Sequence, residues 1–90
     1  MDDQLTKQKI DDALKMANGL LKSDPDDPDL AVVIKQLHYL TEVYDRDRNF
    51  RAVPPNKMTF GLIAARNFDT AYPDFANILY KISWALDHQN

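Results

Sequence analysis

Two histidines, two serines and no cysteine are what this 90-residue chain offers for nucleophilic or metal chemistry. His38 and His88 fall in separate segments, and neither has a second ligand four residues away, so the helical zinc pattern is missing. Ser23 and Ser83 have no base at a recognisable spacing, and no glycine-rich phosphate loop is present. A bundle of this size has little room for a dry catalytic cavity of several hundred Å3. These residues predict neither an enzyme, nor a metal site, nor a cofactor.

The most conspicuous charge is the run "SDPDDPDL", residues 23–30. A calcium loop of the EF-hand type needs glycine at its sixth position and a bidentate glutamate at its twelfth. Counted from Asp24, those positions hold Asp29 and Lys35. Helix capping fits better. Asp27 suits the N-cap, Pro28 the first turn, and Asp29 the positive end of the helix dipole. Asp24 and Asp26 are left over and could serve a partner.

Charge is segregated along the chain. Residues 1–29 hold eight acids and four bases, whereas residues 30–66 hold six bases and three acids. The net charge of −3 and pI near 5.1 lack the basic footprint of a nucleic-acid binder. The N-terminus is polar and acidic, with no secretory-signal pattern. No stretch approaches the roughly 18 apolar residues of a membrane span. The expectation is a soluble protein.

Helical periodicity dominates. One helix is expected from Gln4 to Lys22, with Leu5, Ile10, Ala13, Leu14, Ala17, Leu20 and Leu21 on one stripe, and Gly19 weakens its last turn. A second is expected from Pro28 to Asp45. Its main stripe runs through Leu30, Val33, Ile34, Leu37, Leu40 or Thr41, and Tyr44, and Val32, Tyr39 and Val43 lie on another side. Such a helix either sits centrally or offers one side to a partner. "DRDRNFRAVPPN" forms the main loop, because Pro54-Pro55 cannot continue a helix. A third helix, Asn56 to Phe68, is so apolar that it should be buried. Its Gly61 costs about 1 kcal/mol against alanine, which suggests close approach of a neighbour. Pro73 opens a fourth helix striped by Phe75, Ile78, Leu79, Ile82 and Leu86, with Tyr80 and Trp84 off the stripe. Short connections predict one domain over residues 1–90, an all-α, compact antiparallel four-helix bundle.

Tyr39, Tyr44, Phe50, Tyr72, Tyr80 and Trp84 cannot all be fully buried in so small a bundle. Singly, each can pack its ring and wet its polar tip; together they point to a protein interface.

"KQLHYL" (Lys35–Leu40) and "MTFGLIAARNFDTAYPDF" (Met58–Phe75) resemble the small helical immunity proteins of bacterial type VI secretion. The likeness is closest to the family that neutralises NAD(P)+-glycohydrolase toxins. It rests on Lys35, Gln36, Leu37, Tyr39, Thr59, Gly61, Ile63, Ala64, Phe68, Asp69 and Pro73, and extends over roughly residues 13 to 86. The "SDPDDPD" and "AVPPN" stretches depart from the pattern. The resemblance implies a cytoplasmic antidote that binds a cognate toxin domain and occludes its active site. An immunity protein to a toxin nuclease, or a helical adaptor or weakly homodimeric module, are the alternatives. The residues expected to meet the partner are Asp24, Asp26, Tyr39, Asp45, Asp47, Phe50, Tyr80 and Trp84.

Overall fold

The structure is a computed structural model that describes residues 3–54 and 58–88. Among these residues it is all-α. Helix α1 spans Asp3–Ser23, α2 Pro28–Asp47, α3 Phe60–Ile63 and α4 Pro73–Asp87. Between α3 and α4 the chain makes a π-helical turn, Ala64–Phe68. The four-residue link after Ser23 folds α2 back antiparallel on α1, and Lys7 at the start of α1 lies 5.9 Å from the Tyr44 ring near the end of α2. The Cα envelope measures 35 × 21 × 20 Å, about the length of α1 itself at 1.5 Å per residue.

The link works as the capping reading requires. Asp27 Oδ1 accepts from the N–H of Asp29 at 2.8 Å and of Leu30 at 3.4 Å, with Pro28 at the first helical position. Asp29 also accepts from Asn67 Nδ2 at 2.6 Å, which ties the start of α2 to the π-helical turn.

One core joins all four helices. Ile10, Ala13 and Ala17 from α1 meet Leu30, Val33, Leu37, Leu40 and Val43 from α2. Phe60, Ala64 and Phe68 enter from the third segment, and Phe75, Leu79 and Ile82 from α4. The Phe68 and Phe75 rings pack at 5.3 Å. On α2 the expected second apolar side divides: Val43 is buried, while Val32 and Tyr39 are exposed.

The third segment differs from its expected course. Described α-helix begins at Phe60, and the expected start at Asn56 lies outside the described residues. Nor is it the buried helix. Only one edge, Phe60, Ala64 and Phe68 at four-residue spacing, is buried, and Leu62 is 54% exposed. A short helix on the side of a bundle can bury one edge only, however apolar its sequence.

Gly61 and Gly19 differ in what surrounds them. A Cβ on Gly61 would lie 2.9 Å from Ser83 Oγ and 3.1 Å from Ser83 Cβ, so α4 passes too close for a side chain. At Gly19 nothing lies within 4 Å of that position, and neither glycine has a positive φ. Gly19→Ala should therefore stabilise the protein by about 0.5–1 kcal/mol. Gly61→Leu should destabilise it by about 1–3 kcal/mol through overpacking. Urea titration of both variants checks this contrast, and equal shifts of the same sign would contradict it.

Candidate partner-binding surface

The eight residues nominated by the sequence are not brought to one face. Asp24 and Asp26 lie exposed in the link at one end of the bundle. Asp45 and Asp47 lie at the far end of α2, about 30 Å away at 1.5 Å per residue. Tyr39 stands on the outer side of α2, and Trp84 near the end of α4 is 63% exposed.

Phe50 is a correction. Expected at the surface, it is fully buried, with its ring stacked on Tyr44 at 5.4 Å. The turn after α2 puts it there. Arg48 takes a left-handed conformation (φ 59°) and its N–H donates to Tyr44 O at 2.7 Å. Asn49 then braces the turn: its Nδ2 donates to Asp47 O, and its Oδ1 accepts from the Arg51 N–H. The chain reverses and the ring swings inward. Periodicity cannot foresee this, because the residue lies outside any helix.

The acids beside that turn are not a free negative patch. Asp47 pairs with Arg46, Nε to Oδ1 at 3.2 Å, and Arg46, Arg48 and Arg51 outnumber Asp45 and Asp47.

Tyr80 is half-buried and its hydroxyl donates to Asp69 Oδ1 at 3.0 Å. Burial first, then this hydrogen bond and the nearby carboxylate charge, raise its pKa above the ordinary 10.0. The folded state thus holds the proton more tightly than the unfolded chain. The contribution is complete below pH 10 and is lost as pH rises through the folded-state value. Tyr80→Phe should flatten that alkaline fall in stability. Denaturant midpoints between pH 8 and 11.5 check it, and an unchanged slope would contradict the assignment.

Trp84 is held ready rather than loose. Its ring stacks on His88 at 4.1 Å and 14°, and His88 Nδ1 lies 2.8 Å from Trp84 O. Leu62 and Trp84, each next in sequence to a residue of the Gly61–Ser83 contact, are both exposed. Two concave features lie among the described residues. A shallow trough of about 540 Å3 follows the outer face of α2, lined by Ile34, Lys35, His38, Tyr39 and Glu42. A groove of about 380 Å3 lies between the end of α1 and the start of α4, lined by Met16, Leu20, Tyr72, Pro73 and Phe75. Asp74 stands at its rim and Gly19 in its wall. Periodicity gave no sign of this groove, because it forms between helices distant in sequence.

Gln36 was not singled out by residue type, yet it joins the two motifs of the resemblance. Its Oε1 accepts from the N–H of Thr59 at 3.0 Å and of Phe60 at 2.9 Å, and its Nε2 donates to Thr59 Oγ1 at 2.7 Å. Thr59 makes no side-chain cap of its own, so α2 caps α3 across 23 residues of sequence. A family model, Tsi6, matches residues 5–88, which include α1 from Leu5 onward, the other three helices, this bridge and both concave features. The chain belongs to the Tsi6 family.

Tsi6 is a family of type VI secretion immunity proteins, so the partner is a cognate toxin. No curated protein and no solved structure matches the chain. Among the described residues no three His, Cys, Asp or Glu side chains gather as a metal site. Nor is any helix there long and apolar enough to cross a membrane. Interface size limits which surfaces of this Tsi6-family chain can act together. A standard interface covers about 800 Å2 per partner, a patch about 32 Å across. Asp24–Asp26 and Asp45–Asp47, separated by nearly that distance, cannot both lie near the centre of one patch, where binding energy concentrates.

Proposed function

We propose that this protein is a stoichiometric inhibitor, made in the cytoplasm, that binds a secreted effector and covers its active site, and that the effector degrades NAD(P)+. The observation that carries the reading is the Tsi6 match over residues 5–88. The order and spacing of KQLHYL and MTFGLIAARNFD, which the structure joins through Gln36 and Thr59, support it. The inhibitor works by shape: a preformed surface that excludes substrate and performs no chemistry. Of the nominated residues, Asp24, Asp26, Tyr39, Asp45, Asp47 and Trp84 are exposed side chains a toxin could contact, and Tyr80 would support its neighbours through Asp69.

Co-expression with the toxic domain of the effector encoded beside this chain tests the reading. Growth should be rescued and cellular NAD+ maintained, whereas the toxic domain alone should deplete NAD+. Toxicity without NAD(P)+ loss would overturn the substrate assignment.

The unpaired acids at the link favour a second reading, in which the toxin is a nuclease and carboxylates stand in for phosphate. Cleaved DNA or RNA in the unprotected cells would select it. A weak homodimer through Leu62 and Trp84 is separated by sedimentation at micromolar concentration, where a monomer counts against it.

A further inference from the structure

We infer that the groove between α1 and α4 is where the toxin domain docks, receiving an apolar side chain that the toxin presents between basic residues. The inference deepens the proposed function and rests on its premise that this chain binds a toxin directly.

Gly19 is the first ground. A glycine in the last turns of a helix weakens it, and is normally retained where a positive φ or a close neighbour requires it. Gly61 meets the second condition and Gly19 meets neither. The space its missing side chain leaves belongs to the groove. Gly19 is exposed and the space beside it is open, so a group arriving from outside meets no side chain there.

The lining is the second ground. Met16, Leu20, Tyr72, Pro73 and Phe75 make an apolar floor of about 380 Å3, large enough for an aromatic or long aliphatic side chain. An apolar depression with a polar rim is a common seat of an interface anchor.

Charge fixes the kind of partner. At this end Asp27 caps α2, Asp29 holds Asn67 and Asp69 holds Tyr80. Asp24, Asp26 and Asp74 remain exposed, with no side-chain hydrogen bond or ion pair among the described residues. Asp74 is on the groove's rim, and the Asp24 N–H donates to Leu20 O at 3.0 Å, so the link begins where the groove wall ends. Lys22 in α1's last turn and Arg66 beside Asn67 are bases at this end, fewer than the acids. A basic surface is therefore steered to this end and a like-charged one repelled.

The test measures binding of the effector's toxic domain by calorimetry and stopped-flow, with full-length wild-type and variant chains. Gly19→Trp fills the groove from open space, so folding should survive, as circular dichroism and the thermal midpoint will show. Its affinity should fall at least about 100-fold, the loss expected when a central anchor is displaced. Neutralising Asp24, Asp26 and Asp74 together to asparagine should slow association about tenfold at low salt and flatten its salt dependence. A folded Gly19→Trp variant that binds like the wild type would overturn the inference. So would a wild-type dimer that this substitution dissolves, since the occupant would then be a second copy. Tight wild-type binding to a domain that leaves NAD(P)+ intact would sink only the substrate assignment. Absence of any wild-type binding would overturn both.

Discussion

Phe50→Ala is expected to destabilise the protein by about 3–5 kcal/mol, the usual cost of emptying a buried phenylalanine site. Phe50 is fully buried and stacked on Tyr44. The turn that presents it is pinned by Arg48, Asn49 and the Val53 N–H, which donates to Phe50 O at 3.1 Å. Collapse into the cavity would need that turn to reorganise, so little of the loss should be recovered. A 90-residue domain has about 5–13 kcal/mol in total, so the variant should sit near the edge of folding at 37 °C. Its thermal midpoint should fall by roughly 15–30 °C. Phe50→Leu, which keeps most of the volume, should cost under about 1.5 kcal/mol. Toxin affinity measured well below the midpoint should not change, because the ring touches core and not partner. A variant that keeps its stability but loses affinity would restore Phe50 as a contact.

Gln36→Ala should cost about 1–3 kcal/mol, because it removes the bonds that order the start of α3 and leaves the N–H groups of Thr59 and Phe60 without their acceptor. Phe60 is a core residue, so fraying there would loosen its ring. The loss should therefore be regional: hydrogen exchange should rise in residues 59–64 more than in α1. Gln36→Glu keeps the acceptor, and its negative charge suits a helix N-terminus. It should retain most of the stability, which a mere packing role for Gln36 would not explain. Equal destabilisation by both substitutions would sink the capping role. Because Gln36 and Thr59 both lie in the motifs of the family resemblance, this bridge gives those motifs a folding purpose and lets the toxin-contacting surface lie elsewhere.

How much of this was legible beforehand depended on the range of the forces involved. Asp27, Pro28 and Asp29 could be assigned because a cap involves residues two or three apart, and the structure forms those bonds. The stripes of α1 and α4 followed from a 3.6-residue period, except at Leu5, which is 51% exposed while Thr6 beside it is buried. Gly61 was readable as a close approach, because an interior glycine needs a neighbour to account for it, and Ser83 is that neighbour. Phe50 failed since its burial depends on a left-handed Arg48 and a side-chain-braced turn. Leu62 failed because apolarity alone does not say which edge of a short helix meets the core.

By itself, then, the sequence determined an all-α chain, the starts of α1, α2 and α4, and its likeness to a toxin antidote, since these follow from local periodicity, capping chemistry and motif order. Only the tertiary structure decided which apolar residues stay outside and which acids remain unpaired. It also showed that Gln36 reaches Thr59 and that Gly19 opens on a groove. Those outcomes depend on contacts between segments distant in sequence, whose free energies exist only once the helices are packed.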